Sequence, residues 1–404
     1  MLRRRSVRRY VCEVLAADGA AAAAGSTAGE GAADGGGGPD GRVTGFRQLP
    51  GCLSDPALAR AYSITWRPGL VAAGGKDGVV SVWGSREAEA GTLAANAAVP
   101  PLLSGKLHKG WIAEVQFLSA ACGNASGSGG DGCGGGGGLL RLLTAGNDGT
   151  VGLWDLGRAA EAGGRGGLVP QCLARATDLH SGGIFSLHER GGRLLTAAKD
   201  ASVAISSLGE GSRAGGAALT VLHRYEDLHS GVVKCARWRD DHCFASCGND
   251  RRLVVVDSRQ PTSTGPCFAI EGAHGSAINC LRWHPSEQHL LLSSSHDPAA
   301  LVQDLRSPGQ PLHRLLGHAQ GARVGSIYQP AWVAGGAAVA TGCERSTLLS
   351  LYCTRTGAAI SRGDAGFSLG AALCRGAAPG DPLLVSAPRS VLLFAPTWGA
   401  EAPA

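Results

Sequence analysis

The chain lacks the features that mark several classes of protein. No apolar run approaches the length needed to cross a bilayer, and the basic start is followed by alanine and glycine rather than the apolar core of a secretory signal. Aromatic residues make up only 5% of the chain, and it contains no phosphate loop ending in Gly-Lys-Ser/Thr and no His-Glu-x-x-His. These absences argue against an enzyme, and we expect no cofactor and no membrane association.

Positive charge is also short of what a nucleic-acid-binding surface needs. The net charge of +5 resides in the start of the chain, where five arginines stand between Arg3 and Arg9 without an acid. The remainder carries 32 basic and 32 acidic residues, and a formally neutral body argues against a basic binding track. The arginine cluster is compatible with a nuclear-import patch, an organellar presequence or a solvated tail. We expect nucleic acid to bind, if at all, only through this arm.

The 13 cysteines lack the spacing of a disulfide framework. An odd number of scattered cysteines favours free thiols in a reducing compartment, which predicts an intracellular protein of the nucleus or cytoplasm. Cys243 and Cys247, next to His242, come nearest to a metal motif. Because both cysteines fall on one predicted inner strand, where same-face cysteines usually pack, we expect no metal there.

The chain does contain an internal sequence repeat. Two consecutive stretches open at His229 and His274, and each passes through apolar runs of strand length to a turn aspartate, Asp250 or Asp297. Seven residues after each turn aspartate stands a second aspartate that begins an Asp-x-Arg sequence. Such a fixed period predicts a repeat architecture.

The same pattern extends towards the N-terminus. The recurring turn aspartates are Asp77, Asp148, Asp200, Asp250 and Asp297. Their spacing is close to fifty residues, except for a first interval that contains a glycine-rich insertion at 123–138. In the last four copies a serine or threonine stands four residues before the aspartate, and a histidine precedes it in the chain. We therefore infer at least five copies of one module.

This pattern resembles the WD-repeat family, in which each repeat forms one four-stranded blade of a β-propeller. The resemblance implies a hydrogen-bonded relay inside each blade, because a buried aspartate needs donors that a histidine and a hydroxyl can provide. The matching residues are His108, Thr144, Asp148 and Trp154 in the second copy, His180, Thr196 and Asp200 in the third, His229, Ser246 and Asp250 in the fourth, and His274, Ser293 and Asp297 in the fifth. Ser206, Val256 and Gln303 replace the tryptophan in the third to fifth copies, which shortens those relays.

The resemblance predicts an all-β chain with a single seven-bladed propeller over residues 42–398. The N-terminal strand from Val43 to Leu49 is expected to complete the last blade and so close the ring. Residues 1–41 are basic and then rich in alanine and glycine, so we expect disorder there, a looped-out insertion at 123–138, and a tail at 399–404. Blades six and seven, with Leu348 to Tyr352 and Ser368 to Phe394, depend on strand-length apolar runs more than on motif.

A ring of blades presents rigid faces, so the resemblance implies a non-enzymatic protein-interaction scaffold. In the family's strand order, the histidine and turn-aspartate loops share one face and the third strands end on the other. Asp257 with Arg259, and Asp304 with Arg306, are therefore expected on that second face in adjacent blades. Such a pair resembles the substrate receptors of cullin-4 ubiquitin ligases, whose arginines dock on the damaged-DNA-binding adaptor subunit.

Two alternatives stay open for these arginines. The chain is also compatible with a generic WD-repeat scaffold of a nuclear, chromatin or RNA-processing complex without ligase association, in which Arg259 and Arg306 only cap turns. Loop lengths favour docking, because the long loops 85–99, 123–138, 157–167 and 209–218 all belong to blades one to three. On the opposite face, Lys76, Lys199, Asn249 and His296 are predicted near the mouth of the ring, as a peptide grip or as solvated turn residues.

Overall fold

The computed structural model describes residues 42–118, 140–157, 168–210, 217–318, 328–344, 346–370, 373–375 and 380–399. The predictions for residues 1–41 and for the insertion at 123–138 lie outside these ranges. In the first half of the chain the strands are β1 (Arg42–Gln48), β2 (Cys52–Ser54), β3 (Ala61–Arg67), β4 (Leu70–Gly75), β5 (Val79–Gly84), β6 (Ala98–Val99), β7 (Leu103–Lys106), β8 (Ile112–Phe117), β9 (Arg141–Gly146), β10 (Val151–Asp155), β11 (Gln171–Ala176), β12 (Ile184–Arg190), β13 (Arg193–Ala198), β14 (Val203–Glu210) and β15 (Ala217–Tyr225).

The second half continues with the same short strands and tight turns. They are β16 (Val233–Trp238), β17 (Cys243–Gly248), β18 (Arg252–Asp257), β19 (Phe268–Glu271), β20 (Ile278–Trp283), β21 (Leu290–Ser295), β22 (Ala300–Asp304), β23 (His313–Leu315), β24 (Ala331–Val333), β25 (Ala338–Gly342), β26 (Leu348–Cys353), β27 (Ala359–Asp364), β28 (Leu373–Arg375), β29 (Leu383–Ala387) and β30 (Ser390–Gly399). Helical structure in the described residues is limited to α1 (Arg86–Ala90) and two 3-10 turns, Thr262–Thr264 and Ala334–Gly336.

These strands form seven sheets, one for each predicted blade. Six sheets hold four antiparallel strands in chain order: β3-β4-β5-β7, β8 to β11, β12 to β15, β16 to β19, β20 to β23 and β24 to β27, which are blades 1 to 6. Blade 7 joins β28, β29 and β30 to strands from the start of the chain. The structure confirms the all-β, seven-bladed propeller.

Closure of the ring also agrees with the sequence. Strand β1 runs antiparallel to β30, with Val43 opposite Trp398 and Gln48 opposite Phe394. Strand β2 continues along the other half of β30, where Leu53 lies opposite Val391. The last strand includes Gly399, one residue beyond the predicted end of the propeller. The N-terminal strand therefore completes the last blade and leaves β30 paired on both sides.

The segment 85–99 differs from the plain loop that its composition suggests. It contains α1 and β6, and β6 pairs in parallel with β2 of blade 7. The Glu89 carboxylate accepts hydrogen bonds from the Trp66 indole at 2.9 Å and from the Gly69 backbone N–H at 3.1 Å, while Ala88 is buried. Local hydrogen bonds to Glu89 thus hold the helix on blade 1, and the pairing of β6 with β2 connects the segment to the neighbouring blade 7.

The core lies between the blades rather than within one layer. Seven buried apolar clusters, counted over the described side chains, each fill the space between two neighbouring blades. Second strands such as β21 are buried along their whole length, because both faces of each sheet are covered by the adjacent sheets. Within the described ranges, no helix has the length and apolar character that spanning a bilayer requires.

Candidate functional site

The predicted hydrogen-bonded relay of blade 2 joins residues from the loop before β8, from β9 and the turn that follows it, and from β10. The Asp148 carboxylate lies 3.0 Å from Nδ1 of His108, and Nε2 of the same ring lies 2.8 Å from the Thr144 hydroxyl. The Trp154 indole N–H donates to that hydroxyl at 2.8 Å. Because a carboxylate can only accept, Nδ1 carries the proton and Thr144 donates to Nε2. All four residues are thereby joined in one chain of hydrogen bonds.

Blades 3 to 5 contain shorter versions of this chain. In each blade the histidine Nε2 lies 2.8 or 2.9 Å from the Ser/Thr hydroxyl, and Nδ1 lies between 2.9 and 3.3 Å from the nearest carboxylate oxygen of the turn aspartate. The residues are His180, Thr196 and Asp200, then His229, Ser246 and Asp250, then His274, Ser293 and Asp297. Ser206 and Gln303, at the tryptophan position, each have a buried polar atom without a hydrogen-bond partner in the described residues.

The electrostatics of the relay follow from burial and from donors aimed at the carboxylate. Burial raises the pKa of Asp148, but hydrogen bonds from His108, the Lys109 N–H and Thr150 outweigh it and hold the pKa at about 2. Burial lowers the pKa of His108, and the contact with Asp148 opposes this only in part. The pair is therefore a neutral imidazole on an ionised carboxylate, which suits a structural role inside the blade.

Blade 1 also has buried polar contacts on this side of the sheet, but residues other than those of the relay form them. Asp77 lies exposed at the predicted turn, while a different aspartate, Asp55, is buried in the loop before β3. The Ser81 hydroxyl donates to Asp55 at 2.6 Å, and the Trp83 indole donates to the Ser54 carbonyl at 3.3 Å. The period alone did not predict this exchange, because Asp55 stands six residues before β3, whereas the relay histidines stand four residues before the first strands of their blades.

Because neighbouring strands alternate in direction, the turn aspartates and the loops that precede the first strands lie at one end of every blade. We call this end the histidine face, and the opposite end, where the third strands finish, the arginine face. His108 and Asp148 meet on the histidine face of blade 2 although they lie 40 residues apart. Asp257 and Asp304 end the third strands β18 and β22, on the arginine face of blades 4 and 5.

The two Asp-x-Arg elements have the same geometry. Arg259 donates from Nε and Nη2 to the two oxygens of Asp257 at 2.9 and 2.7 Å, and its backbone N–H donates to the same carboxylate at 3.0 Å. Arg306 repeats this on Asp304 at 3.0, 2.8 and 2.9 Å. The side chains of Arg259 and Arg306 are 49% and 56% exposed, whereas the aspartates are 4% and 15% exposed. Each blade thus presents a guanidinium held from behind by its own carboxylate.

Equivalent strand ends in other blades lack one half of the pair. In blade 2, Asp155 accepts from the backbone N–H of Gly157 at 2.8 Å, so the turn is kept without an arginine. In blade 6, Cys353 occupies the aspartate position and is followed two residues later by the exposed Arg355. Sequence reasoning missed Arg355, and the alignment of strand pairs reveals it. Blades 4 and 5 are the described blades that have both partners.

A cleft of about 630 Å³ opens beside Arg306 on the arginine face. Its lining includes the half-exposed Leu312 together with Ile360 and Trp398, and Asp304 and Arg306 form part of its rim. On this face, the turns between the first and second strands of blades 4 and 5 are short, at 239–242 and 284–289, and longer connections, at 258–267 and 305–312, follow their third strands. Of the long loops predicted around the other blades, 123–138 and most of 157–167 and 209–218 lie outside the described residues.

The inner strands are tied together by a polar network that the sequence did not reveal. Arg237 of β16 forms an ion pair with Glu114 of β8 and donates to the Ser186 hydroxyl of β12 at 2.7 Å. The Ser63 hydroxyl of β3 donates to Glu114 at 2.8 Å. First strands from blades 1 to 4 thus meet around one largely buried ion pair, and the four residues of this network are 51 or more positions apart in the sequence. Local periodicity carries no signal for such a contact.

The cysteines near His242 are packed as apolar side chains. Cys243 and Cys247 lie on β17 and are both buried, and burial raises the pKa of each thiol. Nowhere in the described part of the chain does a group of three or more His, Cys, Asp or Glu side chains lie where it could hold a metal ion.

A closed ring of seven blades, six of them four-stranded, with a His-Asp relay in four of them, defines a β-propeller whose broad faces suit protein binding. A family model described as WD domain, G-beta repeat, matches residues 265–300, which include β19, β20 and β21 of blades 4 and 5. Together with the seven blades, this match places the chain in the WD-repeat family of β-propellers.

Proposed function

We propose that this WD-repeat propeller is a protein-interaction scaffold that docks on the adaptor subunit of a cullin-4 ubiquitin ligase through its arginine face and serves as a substrate receptor. One observation carries the proposal: Arg259 and Arg306 are held in the same bidentate geometry at the same strand end of adjacent blades. The coarser statement, that the propeller is an interaction scaffold, follows from its family and fold.

The geometry favours binding because the arginines are already oriented. A long side chain normally loses conformational freedom when it enters an interface, and the carboxylates of Asp257 and Asp304 reduce that loss by fixing each guanidinium beforehand. About half of each arginine side chain remains exposed to a partner. Arginine is also among the residues that most often dominate binding energy at interfaces.

The surroundings of Arg306 add room for a partner. The cleft beside it carries an apolar lining with Leu312, Ile360 and Trp398, so a docking segment can bury apolar side chains next to the charged contact. The client that such a receptor would deliver is a protein, bound elsewhere on the propeller.

Binding of the full-length chain to the purified adaptor, measured by pull-down and by biolayer interferometry, tests the proposal. Replacing both Arg259 and Arg306 with alanine is expected to weaken binding by more than about tenfold. Arg86→Ala is the matched control, because it removes an exposed arginine from the same position of blade 1, where Gly84 stands in place of the aspartate and which is not part of the cleft beside Arg306. Absence of binding, or equal binding by the wild type and the double variant, would refute the docking role and leave a scaffold without ligase association.

A further inference from the structure

The turn that carries Arg306 continues into a serine that is followed by a proline. Ser307 and Pro308 stand directly after Arg306, in the connection between β22 and β23. Nowhere else in the 404 residues does a proline directly follow a serine or a threonine. Proline-directed protein kinases select such a pair, because their substrate groove accepts a residue without an N–H after the reacting hydroxyl. The chain therefore offers this class of kinase a single candidate hydroxyl.

The Ser307 hydroxyl is accessible in the folded protein. Ser307 is exposed, and its backbone N–H donates to the Asp304 carbonyl at 3.0 Å, while its hydroxyl has no hydrogen bond to another described residue. The turn thus uses the backbone and leaves the side chain in solvent. The connection 305–312 contains no regular secondary structure, and Pro308 disfavours a helical conformation at Ser307. Exposed connections of this kind are where enzymes most readily reach a folded chain.

Blade 4 has the same turn without the hydroxyl. Gln260 and Pro261 stand in the positions of Ser307 and Pro308, and the Gln260 N–H donates to the Asp257 carbonyl at 3.1 Å. The backbone of the two Asp-x-Arg turns is therefore alike, and the residue before the proline distinguishes them. Of the two turns, only the one in blade 5 can accept a phosphate at this position. Glutamine is accordingly the substitution that the protein itself provides for testing Ser307.

A phosphate on Ser307 would lie within the surface proposed for docking. Arg306 and Leu312 belong to the same connection as Ser307, and both line the cleft of the arginine face. The charge of Arg306 is already balanced by Asp304, whose carboxylate lies 2.8 Å from the guanidinium. Phosphoserine adds a charge of about −1.5 to −2 and three strong acceptor oxygens. It would therefore make the turn of blade 5 negative and compete for the exposed donors of Arg306.

We propose that Ser307 is a phosphorylation site for a proline-directed protein kinase and that its phosphate weakens docking of the adaptor on the arginine face. In the transfer, the Ser307 hydroxyl oxygen bonds to the γ-phosphorus of ATP, and the bond from that phosphorus to the oxygen bridging to the β-phosphate breaks. ADP leaves, and the hydroxyl proton passes to the catalytic aspartate of the kinase. The effect on docking rests on the function proposed above, whereas the modification itself does not.

The distribution of charge favours weaker docking over a new attachment. A guanidinium in an interface binds oxygen acceptors of the partner, and a phosphate beside Arg306 both repels acidic acceptors and takes their place. Arg259 of blade 4 stays unmodified, so we expect the adaptor to bind less tightly rather than not at all. Because the turn is exposed, the effect of the phosphate should decrease as the salt concentration rises.

Phosphorylation of the purified full-length protein, followed by measurement of its binding to the adaptor, tests the proposal. A purified mitogen-activated protein kinase and a purified cyclin-dependent kinase are each supplied with ATP, and tandem mass spectrometry locates the phosphate. We expect modification of Ser307. Biolayer interferometry at low salt should then show adaptor binding weakened by at least about fivefold relative to the unmodified protein, with a smaller difference at high salt.

Ser307→Gln is the matched control, because it installs the residue of blade 4 and removes the hydroxyl. It should bind the adaptor like the unmodified wild type, both before and after treatment with the kinases. Failure of both kinases to modify Ser307, or equal or tighter binding by the phosphorylated protein, would overturn the proposal and leave the docking role intact. Weaker binding of Ser307→Gln after kinase treatment would trace the effect to another site and overturn it as well. Absence of binding by the unmodified wild type would remove the docking role and, with it, this means of regulation.

Discussion

Blades 2 and 6 have the same four-stranded sheet but opposite polar interiors. In blade 2, His108, Thr144, Asp148 and Trp154 satisfy one another. In blade 6 both ring nitrogens of His318, the Thr341 hydroxyl and the Ser350 hydroxyl are buried, and none has a partner among the described residues. The sequence accounts for the difference, because four residues after Thr341 stands an arginine where blade 2 has Asp148, and Tyr352 takes the tryptophan position.

This difference shows that the relay is not what makes a blade fold. Blade 6 is held by apolar contacts with blade 5, in a cluster that includes Tyr328, Trp332, Val339 and Tyr352. The Tyr352 hydroxyl donates to the Leu316 carbonyl, so even the substituted tryptophan position keeps a hydrogen bond. Apolar packing between neighbouring sheets therefore suffices for the blade, and the relay adds stability where all of its members are present.

The largest effect should come from breaking the complete relay. His108→Leu keeps a similar volume but leaves Asp148 and Thr144 without their histidine partner in a buried site. We expect a loss of about 2–3 kcal/mol in the free energy of unfolding, from unsatisfied buried groups. Thermal melting followed by circular dichroism measures it as a lower melting temperature. A melting temperature equal to that of the wild type would contradict a stabilising relay.

The spacing of the turn aspartates was sufficient to predict a repeat architecture, and the resemblance to the WD-repeat family supplied the ring of seven blades and its closure by β1. Contacts between distant repeats were not predictable in this way. The Arg237–Glu114 ion pair joins blades 4 and 2, and the helix α1 depends on the particular position of Glu89 below Trp66. The register shifts at Phe185 and Lys234, near the start of the first strands of blades 3 and 4, are visible only in the strand pairing. Tertiary geometry, rather than periodicity, creates these sites.

The pH dependence of stability offers a second test of the comparison between blades 2 and 6, through His318 of blade 6. Burial, aided by the charge of Arg362, lowers its pKa to about 4, well below the ordinary value near 6.5. Between these pH values the unfolded chain takes up a proton that the folded chain does not, so stability falls as pH falls through this interval. The loss is on the order of 1 kcal/mol per pH unit and ends below about pH 4, where both states are protonated.

Urea unfolding at pH 7.5 and pH 5, for the wild type and for His318→Leu, measures this contribution. The variant is expected to lose less stability on acidification, although not none, because burial also lowers the pKa of His108 and His180. Equal acid sensitivity of the two proteins would show that His318 does not titrate in this interval.

The smallest effect on the free energy of unfolding is expected from His318→Leu in blade 6 at neutral pH. Removing His318 deletes two buried nitrogens that have no described partner, so no hydrogen bond is lost, while the ring contact with Tyr328 at 4.6 Å is given up. These changes oppose each other, and we expect His318→Leu to alter the free energy of unfolding by less than about 1 kcal/mol, in the stabilising direction if desolvation of the imidazole dominates. Melting temperatures of His318→Leu and His108→Leu, measured side by side at pH 7.5, test the contrast. A destabilisation as large as that of His108→Leu would mean that His318 is as essential to blade 6 as the relay is to blade 2.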